Sequence, residues 1–184
     1  MVYPPSEDSL LLEEQVKIYL AKLSNKEKFD FKILDMGSGS GIQALAAIKS
    51  GIRRKNILCA DIDEEAIKGL KEQALNAIHT NLFSNIGKGK KFNLIVFNAP
   101  YLPADKYDSG LDTTAGKRGY EIIVRFLKQA KLHLEKNAAI FLLFSSLSKP
   151  KIIFKEAKKL GYVKKKLSEE NMGMMEQIFV YRFN

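Results

Sequence analysis

Asn98-Ala99-Pro100-Tyr101 follows directly on the apolar run Leu94-Ile95-Val96-Phe97. An amide or a base amino nitrogen is a poor nucleophile because its lone pair is delocalised into the plane. The Asn98 side-chain oxygen can accept one N–H of such a group, and the carbonyl of Ala99 can accept the other. Two acceptors hold the nitrogen in place and favour its move towards tetrahedral geometry. This is catalysis by positioning and fixed dipoles, with no strong base. Pro100 restricts Ala99 to extended conformations, which aims its carbonyl. Tyr101 offers a flat face for stacking on a planar acceptor. Asn98, Pro100 and Tyr101 are therefore the candidate catalytic residues, and with Ala99 they form the candidate acceptor site for a methyl group.

The second cluster lies upstream, where Ile33-Leu34-Asp35-Met36 opens into Gly37-Ser38-Gly39-Ser40-Gly41. Glycines at this spacing let the chain turn sharply and let a ligand approach bare backbone. The dinucleotide fingerprint needs a third glycine where Ile42 stands, so that pattern is not met. Gly-x-Gly-x-Gly behind an acid suits instead a nucleoside carrying an amino acid, as in S-adenosylmethionine. Asp35 can attract the ammonium end, and the glycine backbone can pass close to the sugar. Asp61, about twenty residues beyond the loop, can accept hydrogen bonds from ribose hydroxyls. Asp63 ranks behind it as a helix cap. Asn81 can bond the adenine edge.

These clusters need elements to carry them. A helix is expected from Ser6 to about Leu23, with Pro4 and Pro5 before it and Glu7 and Asp8 at its positive end. Strands are expected near 32–36, 57–61, 79–82, 93–97 and 138–144. Helices fall between them from Ile42, over 64–78, around 122–130 and over 149–160. Two final strands, 162–167 and 177–183, suggest a hairpin around Met172-Gly173. Met172 to Met175 reads either as a hairpin tip or as an apolar contact patch. The segment 102–120 has no clear period, and a loop of that length inside a domain is usually functional or mobile. Alternating strands and helices predict a mostly parallel α/β sheet with helices on both faces and an antiparallel last strand. Ligands bind such sheets beyond the carboxyl ends of the strands, where strand order reverses. If the first and fourth strands are neighbours, the two clusters share one rim.

The 184 residues predict a single domain with a real core. No apolar run reaches the roughly 20 residues of a membrane span, and the N-terminus carries no signal-peptide pattern. One cysteine, Cys59, excludes an internal disulfide and fits the cytoplasm. It falls inside an apolar strand and reads as core. His79 and His133 stand far apart, and no metal constellation is expected. The net charge of +9 can attract nucleic acid or an acidic partner, or can simply describe a lysine-rich surface.

Three segments make the chain resemble the class I S-adenosylmethionine-dependent methyltransferases, and more narrowly the short eukaryotic and archaeal HemK-type glutamine methyltransferases. Tyr3-Pro4-Pro5-Ser6-Glu7-Asp8-Ser9 is similar to that group's Tyr-x-Pro-x-Glu-Asp-Thr/Ser. Asp35 to Gly41 matches its glycine loop. Asn98-Ala99-Pro100-Tyr101 matches its Asn-Pro-Pro-Tyr except at Ala99, which keeps the carbonyl. Gly116, Gly119 and Glu121 are similar to a Gly-x-x-Gly-x-Glu segment. Asn81 and Arg118 depart from acids usual at those places. The resemblance implies a Rossmann-like sheet, with residues 1–30 a helical extension covering the cofactor site. It implies S-adenosylmethionine held by Ser9, Asp35, Gly37, Ser38, Gly39, Gly41, Asp61, Ile62, Asn81, Leu82 and Asn98. The acceptor it implies is the Gly-Gly-Gln glutamine of a class I release factor, with a small zinc-ribbon activator subunit on the sheet edge. Bacterial relatives carry a separate N-terminal helical domain that is not expected here, so a partner can supply contacts.

Two other readings stand beside this one. A DNA or RNA amino-methyltransferase would use the same Asn98 geometry on adenine or guanine. A non-catalytic binding module would keep the cofactor fold as a scaffold.

Overall fold

Strand β1 (Ile33–Met36) is buried at every residue, and so is β2 (Ile57–Asp61). Such runs form central parallel strands, because helices cover both faces and leave no side of the strand in water. The computed structural model describes residues 7–100, 119–173 and 176–184. Around these two strands lie β3 (Ala77–His79), β4 (Phe92–Asn98), β5 (Leu134–Ser145), β6 (Lys164–Gly173) and β7 (Glu176–Phe183). They form one seven-stranded sheet in the order β3-β2-β1-β4-β5-β7-β6. The β3, β2, β1, β4 and β5 pairings are parallel, whereas β7 runs antiparallel to both β5 and β6. Strand β1 pairs with β4 with Ile33 opposite Leu94. The sheet order therefore reverses between those two strands, and the expected shared rim exists.

The helices are α1 (Glu7–Ala21), α2 (Asn25–Asp30), α3 (Ile42–Lys49), α4 (Glu64–Glu72), α5 (Glu121–Ala130) and α6 (Pro150–Lys159). On one face, Leu12, Val16 and Leu20 of α1 join Ala44 of α3 and Leu70 of α4 over Ile33 and Leu94. On the other, Phe126 of α5 and Ile153 of α6 pack over Leu34 and Ile95. Adjacent residues of β1 and β4 thus feed opposite cores, which is the period-2 signature of a strand. Cys59 is fully buried, and burial holds its thiol well above the usual range. Among the described residues, no helix is long and apolar enough to cross a membrane.

Several elements differ from the sequence expectation, among them β6, which runs Lys164–Gly173 instead of 162–167. The fourth helix stops at Glu72 instead of continuing to residue 78, and β3 occupies 77–79 instead of 79–82. The apolar spacing runs on through Leu75 and Ile78, but Ala74 takes a positive φ of 56° and the chain reverses. Leu75 then folds back, donating its N–H to the Leu70 carbonyl at 3.0 Å. Strand β5 begins at Leu134, earlier than expected, because a register shift lets Leu134 pair with Phe92 ahead of the regular run from Ala139. Helix α2 was not anticipated. Its signal was a capping box, in which Ser24 accepts from Glu27 N–H and Glu27 reaches back to Ser24 N–H.

Candidate active site

The glycine loop leaves β1 and makes three left-handed turns, with φ of 61° at Gly37, 51° at Gly39 and 82° at Gly41. Side chains disfavour that region, which explains the glycines. At Gly41 a second reason operates: an added Cβ would lie 2.8 Å from Leu70 Cδ2 and 3.0 Å from Leu75 Cδ1. The loop is pinned to β2 from below. Gly37 N–H donates to the Ala60 carbonyl at 2.7 Å. Ser38 Oγ accepts from Ala60 N–H at 3.0 Å and donates to the Asp35 carbonyl at 2.7 Å. Ser38 is thus a buried brace of the loop, while Gly37 stands exposed above it.

Two carboxylates flank the loop. Asp35 is only 2% exposed, and its Oδ2 accepts from Ala44 N–H, in the first turn of α3, at 3.3 Å. Burial, with the negative charge of Asp61 nearby, pushes its pKa up to about 7 against the pull of that N–H. A buried acid in this state is matched to a cation. Asp61 ends β2, with Oδ2 accepting from Gly39 N–H at 2.8 Å and Oδ1 from Asp63 N–H at 2.9 Å. Its carboxylate is therefore fixed in direction, and each oxygen keeps a lone pair for a further donor. Asp63 caps α4 through Glu65 N–H, as its place in the sequence suggested.

Asn98 ends β4, one strand away. Its Nδ2 donates to Asp8 Oδ2 at 3.0 Å and to Ser9 Oγ at 3.3 Å, both in the first turn of α1. Ser9 also donates its N–H to Asp8 Oδ1 at 2.6 Å. This network fixes which end of the Asn98 amide faces α1. The opposite end, Oδ1, takes no hydrogen bond among the described residues. Ala99 is 1% exposed and donates to the Leu143 carbonyl at 3.3 Å, so the residue whose carbonyl is the second candidate acceptor is anchored in the core. Pro100 is half-buried. Tyr101 lies outside the described residues, as do Tyr3 to Ser6, most of the 102–120 segment with Gly116 and Arg118, and Met174 and Met175.

The structure therefore joins Asp35, Gly37, Ser38, Gly39, Gly41 and Asp61 into one cradle, with Ser9 and Asn98 forming a second group on the same rim. Asn81 follows β3, and its Oδ1 accepts from Arg125 Nη2 of α5 at 2.9 Å. Leu82 beside it is buried at a φ of 50°. The Ile62 carbonyl accepts from His79 Nε2 at 2.8 Å. Three residues with a part in this geometry escaped the sequence reading: Asp8, Gln43 and Arg125. Gln43 Nε2 donates to the Ser9 carbonyl at 2.9 Å and ties α3 to α1. Asp8 lay inside the quoted N-terminal motif but read there as a helix-dipole residue. Gln43 and Arg125 carried no local signal.

S-adenosylmethionine fits this donor set. A Cβ added at Gly39 would meet nothing within 4 Å, so the loop is open on that side. The two flanking groups are acids, which suits a ligand with an ammonium group and sugar hydroxyls.

The profile of the ribosomal protein L11 methyltransferase family (PrmA) matches residues 14–102. A Methanocaldococcus jannaschii protein assigned as a protein N5-glutamine methyltransferase is 36% identical over 172 residues, covering 88% of this chain and 81% of that one. The release factor glutamine methyltransferase of Fusobacterium nucleatum is 30% identical over 116 residues, 59% of this chain but only 31% of its own length. Among solved structures, the E. cuniculi Mtq2–Trm112 complex, responsible for methylation of the eRF1 translation termination factor, shares the fold. It superposes with a TM-score of 0.75 at 20% identity, over 98% of this chain and 96% of that one.

Proposed function

The chain belongs to the protein N5-glutamine methyltransferases, and from that premise we propose that it methylates the side-chain amide nitrogen of a glutamine, the one in the Gly-Gly-Gln motif of a class I translation release factor. The observation that carries this reading is the orientation of Asn98. With Nδ2 committed to Asp8 and Ser9, Asn98 presents an acceptor oxygen at the end of β4, beside the glycine cradle.

S-adenosylmethionine, when bound, supplies a methyl group activated by a cationic sulfur. Asp35 pairs with its ammonium group, and Gly37 and Gly39 let it lie against backbone. Asp61, fixed by the Gly39 and Asp63 N–H groups, receives the ribose hydroxyls. Ile62, Asn81 and Leu82 border the adenine. Ser9 and the first turn of α1 wall the cofactor from the N-terminal side. Asn98 Oδ1 and the Ala99 carbonyl take the two N–H groups of the glutamine, Pro100 aims that carbonyl, and Tyr101 stacks on the amide plane. Holding the nitrogen at attack distance supplies most of the acceleration. On transfer the methyl–sulfur bond would break and leave a neutral thioether, and the methylated amide nitrogen would shed its extra proton to water, so no strong base is needed.

A small zinc-ribbon activator subunit on a sheet edge, β3 or β6, and a cytoplasmic location complete the proposal. The Mtq2–Trm112 neighbour supports the partner. Among the described residues, acids rather than lysines flank the glycine cradle, so the +9 charge does not by itself point to nucleic acid as the methyl acceptor.

The test is to add the protein and methyl-labelled S-adenosylmethionine to an extract of cells lacking this gene, which also supplies any activator. Label on a protein of release-factor size, mapped to a glutamine, is the expected result. Label on RNA or DNA overturns the acceptor. Cofactor binding with no label on any polymer overturns the activity.

A further inference from the structure

We propose that the rim of the sheet opposite Asn98 is a docking surface for the phosphate backbone of RNA. A cleft of about 380 Å³ lies there, at the amino ends of the central strands, lined by Lys32, Lys55, Lys90 and Lys91 with Asn56 and Asn76. All four lysines are exposed. Among the described residues, Lys32 alone of the four has an acid within ion-pair range, Glu135 at 3.7 Å. Among the described residues, Lys55, Lys90 and Lys91 make no ion pair.

The backbones that carry these side chains are fixed. Lys32 donates its N–H to Asn93 Oδ1 at 2.8 Å, and its carbonyl accepts from Asn93 and Leu94 N–H groups. The Lys90 carbonyl accepts from His133 Nδ1 at 2.7 Å, and the His133 ring stacks on Phe83. Lys55 sits in the 3-10 turn before β2, where Asn56 Nδ2 holds the Phe29 carbonyl at 2.8 Å.

Lys55, Lys32 and Lys91 precede β2, β1 and β4, three adjacent strands. With strands roughly 4.8 Å apart, the residues that carry these charges stand about 10 Å apart from first to last across the sheet. A row of charges matches a linear polyanion better than a single phosphate, which needs donors converging on one point. Lysine heads act as point charges without bidentate geometry, which suits backbone contact without sequence readout. Asn76 places an exposed amide in the same cleft, able to meet a 2′-hydroxyl that both donates and accepts. The apolar lining residues Ile57, Leu58 and Phe92 are buried, so the cleft offers no anchor for a peptide side chain. Strand β1 alone separates the two rims by about 13 Å. RNA held here is a tether, not a methyl acceptor.

The test is fluorescence anisotropy with a labelled 20-nucleotide oligouridine between 50 and 250 mM KCl. The triple variant Lys55→Gln/Lys90→Gln/Lys91→Gln should lose tenfold or more in affinity at 100 mM. Its log–log salt slope should be shallower by about 2, since each single-strand phosphate contact contributes roughly 0.7. A control of equal charge change, Lys68→Gln/Lys151→Gln/Lys155→Gln, should stay within about twofold of the parent. Equal losses in both variants would reduce the effect to net charge and overturn the site. Unchanged binding in the first variant overturns it too, as does tighter binding of oligothymidine or polyglutamate than of oligouridine. Methyl transfer to a free protein acceptor should be the same in parent and triple variant. A matching fall in turnover would place the lysines in acceptor binding and sink the RNA assignment without touching the proposed function.

Discussion

Asp8 and Asn98 stand ninety residues apart in the chain, yet Asn98 Nδ2 donates to Asp8 Oδ2 across 3.0 Å. A planar amide can be turned end for end with little change of shape, and only its hydrogen bonds decide which end faces where. A carboxylate on one side settles it: the NH₂ faces Asp8 and the carbonyl oxygen faces away. Asp8 is therefore a positioning residue for the proposed reaction.

Removing that carboxylate should cost turnover more than binding. Hydrogen bonds to charged groups contribute about 1.5–3 kcal/mol. Asp8→Ala should thus lower kcat by roughly 10- to 100-fold, with cofactor Kd changed by less than about threefold. Asp8→Asn keeps an acceptor oxygen and should recover part of the loss. Steady-state kinetics beside calorimetric cofactor titration separates the two effects. Equal kcat in Asp8→Ala and the parent would refute the positioning role.

Asn98→Ala removes the acceptor itself. By analogy with loss of one preorganised dipole, turnover should fall by about 10²–10³-fold, while cofactor affinity stays near that of the parent. Single-turnover label transfer measures this, and near-normal turnover would sink the mechanism.

Asp35 links the site to pH. Its pKa is raised to about 7 in the folded chain, from an ordinary 3.8. The folded state therefore prefers the protonated acid, and ionisation costs stability progressively as pH rises from about 4 to 7, by on the order of 4 kcal/mol. Asp35→Asn should accordingly raise Tm at pH 8 relative to the parent and leave it nearly unchanged at pH 4. Binding a ligand ammonium should favour the ionised form. Calorimetry in buffers of different ionisation enthalpy should show close to one proton released on cofactor binding at pH 6, and at pH 8.5 no release but uptake, because Asp35 is already ionised there and a free α-amino group, titrating at roughly 7.7–8.0, must regain its proton. No release at pH 6 would show that Asp35 does not meet the ammonium.

Gly41→Ala should be the most damaging of the glycine-loop changes for folding. The positive φ costs about 1–2 kcal/mol for an L side chain, and crowding against Leu70 and Leu75 adds roughly 1–3 kcal/mol. Gly39→Ala carries the φ cost without the crowding. Denaturant unfolding should rank the two variants in that order.

Much of this architecture is legible in the sequence. The runs at 33–36, 57–61 and 94–97 are apolar, short and bounded by turn residues, and the structure buries them on both sides as such runs require. The glycine loop and Asn98 were likewise legible, since each needs a local residue pattern. What escaped depends on distance. Helix α1 is apolar around much of its surface, so its sequence does not say that Leu12, Val16 and Leu20 face the core while Leu10 and Ile18 remain exposed. Without that rotation Asp8 cannot be aimed at Asn98. Gln43 and Arg125 gain their partners only through packing of α3 against α1 and of α5 beside the turn after β3. The end of α4 was misplaced because Leu75 keeps a helical spacing even though it reaches the core by a reversal.

Strand β7 lies between β5 and β6, although it follows both in sequence. Until residues 176–183 exist and dock, the edge of β5 stays open. That edge includes Ala138-Ala139-Ile140-Phe141-Leu142-Leu143-Phe144, a run with no charge, no proline and no glycine. Exposed segments of this kind template cross-β pairing between chains. The nascent protein therefore carries its most aggregation-prone strand unprotected until nearly the whole described sequence has been made, and the β6–β7 hairpin acts as the cap that ends this vulnerable interval.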